Sequence, residues 1–391
     1  MSSAVETMTR SERSQLGLAI DGPTLMLTLA LLLLGLTMVT SASITIAGRD
    51  GMPFAFLERQ LLLVLIGGVA AMLTFAIPTQ TLERFALPLL LVALALLFVV
   101  LIPGLGHTVN GSRRWLHIGA LNFQVSEAAR VLALIYIASY AVRYEEDLRS
   151  GLSGVIRPLG LLAAIAFLLL LEPDFGAGCV LFLTGFGLLF LAGAQWRWIL
   201  ATVLFAGSAM WLLVRFSPYR LQRLLTFMDP WADPYHSGFQ LTQSLIAIGR
   251  GGLFGVGLGA SVQKLFYLPE AHTDFLFAVL AEELGLAGVA LTLGLFLGLA
   301  WRALVIARRA HDAGLKFQSY LAAGFGLWLG IQAFINVGVN MGVLPTKGLT
   351  LPFMSYGRSS LIVTLAWLGI VLRVHHETVH GKRRSGRAER A

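Results

Sequence analysis

The sequence predicts an all-α, polytopic integral membrane protein with about ten transmembrane helices. Three observations predict this class. Of the 391 residues, 57% are hydrophobic and 13% are charged, whereas about 25% of the residues in a soluble globular protein are charged. The mean hydropathy is +0.77. Apolar runs of roughly 20 residues, the length that crosses a bilayer, recur along the whole chain.

The apolar runs define the expected spans in chain order. The first run is too long for the core of a signal peptide, so we expect it to remain as a span. A tight turn at residues 172–174 separates the fifth span from the sixth, and Trp196 and Trp198 lie where the sixth meets the seventh, as interfacial aromatic residues do. The ten expected spans are residues 23–46, 58–77, 84–103, 124–143, 154–172, 174–193, 196–215, 274–300, 317–341 and 350–373.

Lys and Arg residues predict the orientation of these spans. They are in modest excess on the side that carries both ends of the chain, so both termini are expected in the cytoplasm. One extracytoplasmic loop is far longer than usual, and loops of that length commonly carry function. Within it we expect amphipathic helices at 219–231 and 238–252. The predicted parts are a cytoplasmic N-terminal tail (1–22), a ten-helix domain (23–373) with its long loop (216–273) before the eighth helix, and a basic cytoplasmic C-terminal tail (374–391).

Composition also excludes several kinds of protein. The formal net charge is +8, but basic residues crowd the C-terminal tail, which indicates attraction to anionic membrane lipids rather than to nucleic acid. The single cysteine, Cys179, excludes an internal disulfide and a cysteine-based metal site. The glycine-rich run at 249–261 follows no predicted strand, so it indicates tight loop packing and not a dinucleotide site.

The stretch YLPEAHTDFLFAVLAEELG (267–285) places an acid–imidazole–acid cluster, Glu270, His272 and Asp274, where the eighth span begins. Charged side chains are costly inside a bilayer, so such residues usually have a function. If the helix starts near Asp274, its dipole would favour the ionised carboxylate, which would suit a general base. A helix cap explains the same residue equally well from spacing alone.

Two acids lie deeper in the same span. Glu282 and Glu283 are on different faces of a straight helix, so they do not share one site with Asp274. We expect at least one to pair with a cation from another span, such as Arg130. Arg130 also lies three residues after Glu127, a spacing that allows local neutralisation. A structural ion pair is the alternative to a functional role for both deeper acids.

Cations are frequent in the predicted outer loops. Clustered above the membrane they would suit a pyrophosphate or another anionic headgroup, although interfacial Lys and Arg also commonly extend to the interface without binding anything. These residues are Arg113, Arg114, Arg220, Arg223, Arg250, Lys264 and Lys347.

Four motifs together resemble the SEDS family (shape, elongation, division and sporulation), and the resemblance spans about residues 25–375. Within the family the chain is more similar to the cell-division branch than to the elongation branch. The resemblance implies a peptidoglycan glycosyltransferase that polymerises lipid II at the bacterial cytoplasmic (inner) membrane, at the division septum. The motifs are NGSRRWLHIGALNFQVSEAAR (110–130), EPDFGAG (172–178), YHSGFQLTQSLIAIGRGGLFGVGLGASVQKLFYLPEAHTDFLFAVLAEELG (235–285) and VLPTKGLTLPFMSYGRSS (343–360).

The resemblance also implies roles, partners and cofactors. It makes Asp274 the catalytic residue. It implies a cognate class B penicillin-binding transpeptidase of the FtsI type and divisome regulators of the FtsQ, FtsL and FtsB type. A divalent cation such as Mg²⁺ or Mn²⁺ is left open. Supporting active-site residues would be Glu270, His272, Glu283, Trp115 and Glu127, and the diphosphate-binding candidates are Arg220, Arg223, Arg250, Lys264 and Lys347.

Two other functions remain alternatives. A lipid II flippase would also use intramembrane acids, but a transporter is expected to show internal repeats and broken helices, and neither is evident in the sequence. A non-catalytic divisome scaffold would leave the acid–imidazole cluster unexplained. The chain departs from the usual family residues at Arg130, Glu172 and Arg358, where Lys, Gln and Gly are common.

Overall fold

The protein is a bundle of long helices with a small sheet at one end, seen in a computed structural model that describes residues 19–49, 51–109, 112–118, 121–216, 225–346 and 348–388. The helices are α1 (Gly22–Arg49), α2 (Ala55–Ala76), α3 (Thr79–Arg84), α4 (Ala86–Leu101), α5 (Val125–Arg143), α6 (Glu145–Ser150), α7 (Leu152–Leu171), α8 (Phe175–Leu191), α9 (Trp196–Arg215), α10 (Phe239–Gly251), α11 (Leu276–Asp312), α12 (Lys316–Asn340) and α13 (Arg358–Ala388). The strands are β1 (Gly106–Val109), β2 (Ser112–Ile118) and β3 (Leu121–Gln124).

Each expected span overlaps one long helix. Within the described residues, seven helices are long and apolar enough to cross a membrane, namely α1, α2, α5, α7, α11, α12 and α13 up to His380. The helices α4 and α8 are apolar but shorter, and α9 has 20 residues. The all-α, multi-pass class is therefore confirmed, while the count of ten spans and their orientation stay predictions. Helix α13 continues to Ala388, through most of the predicted C-terminal tail.

A three-stranded antiparallel sheet, ordered β1-β2-β3, joins α4 to α5. No local sequence pattern predicted this sheet. Trp115 of β2 pairs with Gln124 of β3, and α5 begins at the next residue. The sheet thus places β2 beside the first turn of α5.

The long loop before α11 is partly as predicted. Residues 217–224 lie outside the described residues, residues 225–228 are helical, and Pro230–Ala232 form a 3₁₀ turn. Helix α10 confirms the second predicted amphipathic helix, and it ends at Gly252 with φ +53. Glycine adopts this left-handed conformation without steric cost, so it caps the helix.

Helix α11 is broken at Gly285, whose φ of 63 and ψ of −162 are not helical. Residues 252–257 lie against the break and bond to its freed backbone groups. Val256 N donates to Glu282 O at 3.0 Å, and Leu286 N donates to Gly252 O at 3.0 Å. Because no water hydrogen-bonds backbone groups inside a membrane, a broken helix needs such partners.

Polar side chains gather at the two ends of the bundle. At one end, named here the Asp274 end, lie the sheet, the α7–α8 turn and the segment before α11. At the opposite end Asp21 accepts a hydrogen bond from Thr24 N at 3.1 Å and forms an ion pair with Arg302 at 2.5 Å. Glu377 of α13 accepts a hydrogen bond from Thr79 N at 3.0 Å. These contacts tie the start of α1 and the middle of α13 to the bundle at the end away from Asp274.

Candidate active site

Asp274 lies two residues before α11, at a point where three other segments meet. An added Cβ on Gly348 would lie 3.1 Å from Asp274 Oδ2 and 4.0 Å from an Arg114 nitrogen. Arg114 Nη1 is 3.6 Å from Asp174 Oδ1. The fold therefore brings together the β2 strand, the α7–α8 turn and the α11 entry around one guanidinium.

Two asparagines of α12 hold the backbone of Asp274. Asn336 and Asn340 each donate a side-chain hydrogen bond to Asp274 O at 3.0 Å. Asn340 Oδ1 also accepts from Ala278 N at 3.2 Å, which satisfies a free N–H in the first turn of α11. Neither asparagine was predicted from the sequence. The signal that could have indicated them is a pair of amide side chains one turn apart at the end of an apolar helix.

Glu270 shapes the turn that presents Asp274. Its φ is +55, in the left-handed region, and its carbonyl accepts from Thr273 N and Phe275 N at 3.1 and 3.2 Å. Thr273 Oγ1 donates to the Glu270 carboxylate at 2.7 Å. A non-glycine residue in this conformation is strained, and such strain clusters at functional sites.

His272 lies in an aromatic environment next to the cluster. Its ring is 5.0 Å from the Phe56 ring and 5.8 Å from the Tyr356 ring, measured between centroids. Burial lowers the pKa of His272 and outweighs the opposing effect of the Glu270 carboxylate. The imidazole is therefore neutral at pH 7, and its Nδ1 is buried without a hydrogen-bond partner in the described part of the chain.

The carboxyl of Asp274 titrates near neutrality. Burial, followed by the Glu270 carboxylate, raises its pKa to about 7, against the opposing charge of Arg114; Asp174 adds a smaller upward effect. The expectation that a helix dipole favours the ionised form is wrong, because α11 begins at Leu276 and Phe275 occupies the cap position. Asp274 does not cap the helix either, because no side-chain hydrogen bond caps the described N-terminus of α11. A pKa near the working pH suits a general base.

The two deeper acids, Glu283 and Glu282, bind the long loop that precedes α11. Glu283 forms a buried ion pair with Lys264 at 2.7 Å, and Ser41 Oγ of α1 donates to the same carboxylate at 2.7 Å. Glu282 accepts hydrogen bonds from Val262 N at 3.2 Å and from Ser261 Oγ at 2.5 Å. The partner of Glu283 is thus a loop lysine, and the expected pairing of a deeper acid with Arg130 is wrong.

Arg130 is neutralised on its own helix. It forms an ion pair with Glu127 of α5 and donates to Gln332 Oε1 of α12 at 2.9 Å. All three side chains are buried. The local i, i+3 interpretation of this pair is confirmed, and the role of Glu127 as a supporting active-site residue stays a prediction.

Two further predicted residues, Trp115 and Arg250, lie in different parts of the described structure. Trp115 is partly buried on β2, and its Nε1 is buried without a partner among the described residues. Arg250 is half-exposed and 3.4 Å from Glu282. Arg220, Arg223 and Lys347 lie outside the described residues. The roles of all these residues, and of Lys264 as a diphosphate ligand, stay predictions.

Arg114 and Asp174 emerge as site residues that the sequence analysis did not select. Arg114 was one of many outer-loop cations, and Asp174 was part of a turn. Asp174 accepts from Ser126 Oγ at 2.9 Å and caps α8 through Ala177 N at 3.2 Å. Arg114 Nε is buried and makes no hydrogen bond within the described residues. A guanidinium with a spare donor beside a titrating carboxyl is suited to an anion.

The described residues form no group of three or more carboxylate, imidazole or thiol side chains that could hold a metal ion. A Mg²⁺ ion usually binds through one or two carboxylates and takes its remaining oxygens from substrate phosphates and water. The use of Mg²⁺ or Mn²⁺ stays a prediction.

This fold and site define a multi-pass membrane protein with a titrating carboxyl and an arginine at one end of its bundle. The chain belongs to the FTSW_RODA_SPOVE family, described as "Cell cycle protein", which matches residues 23–380. The predicted resemblance to the SEDS family is thereby confirmed.

Curated relatives and solved structures agree with this assignment. The chain is 54% identical to "Probable peptidoglycan glycosyltransferase FtsW" of Thioalkalivibrio sulfidiphilus, over 96% of this chain and 93% of the relative. It is 51% identical to the protein of the same name from Coxiella burnetii, over 94% and 99%.

Two solved structures are similar to the chain at 32% identity. One is described as "Structural coordination of polymerization and crosslinking by a peptidoglycan synthase complex", with a TM-score of 0.76 over 93% of this chain and 99% of that chain. The other is the rod shape determining protein RodA of Thermus thermophilus, with a TM-score of 0.67 over 92% and 98%.

Proposed function

We infer that this chain is a peptidoglycan glycosyltransferase of the FtsW type, which polymerises lipid II into glycan strands for the septal cell wall. The observation that carries this inference is the Asp274 carboxyl, with a pKa of about 7, beside Arg114 at one end of the bundle. The names of relatives about 50% identical over most of the chain support it.

The chemistry follows from these two side chains. Ionised Asp274 accepts the proton of the acceptor's GlcNAc 4-hydroxyl as that oxygen attacks the anomeric carbon of the donor. The new O4–C1 bond replaces the bond from C1 to the diphosphate oxygen, and the undecaprenyl diphosphate leaves with the electron pair. Arg114 offers a fixed positive charge where negative charge accumulates on the leaving group.

The long loop supports the same function by holding the entry to α11. Glu282 and Glu283 bind residues 261–264, and Lys264 O accepts from Thr45 of α1 at 3.2 Å. The segment that leads to Asp274 is therefore fixed to both α1 and α11. Rigid support of this kind keeps a base within hydrogen-bond reach of its substrate.

A lipid II flippase is the second candidate, because broken helices are typical of transporters and α11 is broken at Gly285. The freed backbone groups at this break bond to residues 252–257, so they are not left for a ligand. The break thus serves to anchor the loop, which favours the polymerase. A scaffold function is compatible with catalysis.

We propose a class B penicillin-binding transpeptidase of the FtsI type as partner, because a similar structure is described as a complex that couples polymerization and crosslinking. We also propose regulators of the FtsQ, FtsL and FtsB type and a place at the division septum, and the FtsW names of the relatives support this proposal. Copurification of the full chain with its cognate transpeptidase tests the first of these partners.

The function is tested by polymerisation of labelled lipid II by the purified chain with its transpeptidase, with contaminating class A polymerases inhibited by moenomycin. Asp274→Asn is isosteric and lacks a base, so glycan ladders should fall by about 10²–10⁴-fold. Asp312→Asn, at an exposed aspartate of the opposite end, is the matched control and should leave them unchanged.

Undiminished ladders from a folded Asp274→Asn variant would remove Asp274 from the mechanism. Transport of labelled lipid II across vesicles without any ladder would favour the flippase instead.

A further inference from the structure

The Glu172 carboxyl is fully buried and unpaired. It follows the last residue of α7, in the turn to α8, and its exposure is 0%. Neither carboxylate oxygen has a hydrogen-bond partner among the described residues. Burying an ionised carboxylate without a partner costs several kcal/mol, so the neutral, protonated acid is the stable form.

The charged groups near Glu172 agree with this protonation state. Burial, followed by the Asp174 carboxylate, raises the pKa of Glu172 to about 8, against the attraction of Arg114. The Asp174 carboxylate is held in place by hydrogen bonds from Ser126 Oγ and from Gln124 Nε2, the latter at 3.2 Å. When two carboxyls lie close together in a buried site, the negative charge of one raises the pKa of the other, so one of the two keeps its proton.

The elements packed against this turn bring little compensating charge. Helix α5 carries Glu127 and Arg130, which neutralise each other. The Lys316 ammonium of α12 is bound to Glu145 at the opposite end, and Arg215 ends α9 as an exposed residue. Arg114 of β2 is therefore the cation in the described structure that acts on Glu172.

Arg114 also acts on Asp274, so it links the two acids. It lies 3.6 Å from Asp174 on one side. On the other side Arg114 and the Asp274 carboxylate both border the space where a Cβ on Gly348 would lie, at 4.0 and 3.1 Å. With Glu172 neutral, one arginine faces the two carboxylates Asp174 and Asp274. A third buried negative charge would compete for the same guanidinium and would oppose the binding of an anion.

We propose that Glu172 is a proton-carrying positioning residue of the glycosyl-transfer site. As a neutral acid it leaves Arg114 to Asp274 and to the incoming diphosphate, and when it ionises it draws Arg114 away and adds negative charge beside the diphosphate. This inference rests on the proposed function, since it assigns Glu172 a role in the same reaction.

The first test is the pH dependence of lipid II polymerisation. The wild type should show an acid limb near pH 7, where Asp274 ionises, and an alkaline limb near pH 8, where Glu172 ionises. At pH 9 about one tenth of Glu172 remains neutral, so wild-type activity should be about sixfold below its maximum near pH 7.5, chiefly through a raised KM. Glu172→Gln, a permanent mimic of the neutral acid, should lose the alkaline limb.

The matched control is Glu58→Gln, which removes an exposed acid at the same end of the bundle and should keep both limbs. Glu172→Met, which also lacks the carboxyl, provides a second variant if Glu172→Gln does not fold. An alkaline limb that persists in a folded variant without the Glu172 carboxyl would overturn the proposal.

A second measurement is independent of activity. Infrared difference spectra of the purified chain should show the protonated Asp274 carboxyl fading near pH 7 in wild type and in Glu172→Gln alike. Wild type should show in addition a second protonated carboxyl C=O band, which persists above pH 7, disappears as the pH rises through about 8 and is missing in Glu172→Gln. A second band that is the same in wild type and variant would overturn the proposal, whatever the enzyme does. The wild-type chain could show this Glu172-dependent band and yet make no glycan ladder. That result would overturn the proposed function and, with it, the role of Glu172 in that reaction.

Discussion

Burial and three charged side chains together set the ionisation of Asp274, and burial, which disfavours the charged form, has the largest effect. Glu270 disfavours the charged form, Arg114 favours it, and Asp174 opposes it weakly. Because a general base works only when ionised, activity should fall as the pH drops below about 7. The acid limb of the pH profile therefore reports the balance among these neighbours.

Replacing Glu270 by Gln should move the acid limb to lower pH. The variant removes a like charge, which lowers the pKa of Asp274 and leaves more of the base ionised at pH 6. The shift should be a fraction of a pH unit, because Glu270 is exposed and solvent screens its charge. The measurement is the rate of lipid II polymerisation between pH 5 and pH 9.

Glu58→Gln controls for the loss of one exposed acid and should leave the acid limb in place. An acid limb that moves to higher pH in Glu270→Gln would show that Glu270 does not act on Asp274 as a like charge.

At the scale of elements, the break in α11 fastens the long loop to the bundle. Gly285 has a φ of +63, and an added Cβ would lie 2.3 Å from Gly255 N. On the loop side, Gly255 has a φ of +80, and its added Cβ would lie 2.1 Å from Glu283 O. The two glycines permit a backbone approach that no other residue allows.

Gly285→Ala should loosen this attachment. Its backbone conformation is one that essentially only glycine adopts, at a cost of roughly 1–3 kcal/mol for other residues, and the steric clash adds to that cost. We expect a lower melting temperature and faster proteolysis within residues 252–264 in detergent. Polymerisation should fall with them, since this loop leads to Asp274.

Gly294→Ala is the control on the same helix, because an added Cβ there meets nothing within 4 Å. It should be neutral or slightly stabilising, as alanine is the better helix former. Equal stability of the two variants would contradict a fastening role for the break.

For the whole molecule, the polar clusters lie at two opposite ends of an apolar bundle. Asp21, Arg302 and Glu377 belong to one end, and Asp274, Arg114 and Asp174 belong to the other. A chain that crosses a membrane several times separates its polar groups in this way, since charges inside the bilayer are costly. The Asp274 end is the predicted extracytoplasmic face.

This orientation predicts the labelling of single cysteines in a Cys179→Ala background. Tyr235→Cys, in the exposed loop at the Asp274 end, should react with a membrane-impermeant maleimide in intact spheroplasts. His311→Cys, exposed at the opposite end, should react only after permeabilisation. Labelling of His311→Cys in sealed spheroplasts would invert the predicted orientation and place Asp274 in the cytoplasm.

The sequence by itself determined the class of the protein, the long helices and the main motif of the site. These features depend on local composition and on hydrophobic runs, which packing does not rearrange. The cluster of Glu270, His272 and Asp274 was visible because charged residues at the start of an apolar span are unusual.

The tertiary structure decided which side chains meet. The partner of Glu283 is Lys264 and not Arg130, and the cation beside Asp274 comes from Arg114, far away in the chain. The break at Gly285 and the burial of Glu172 were likewise not predictable from local pattern. Side-chain partners and desolvation depend on how distant segments pack, and these two effects set the pKa values on which the proposed chemistry rests.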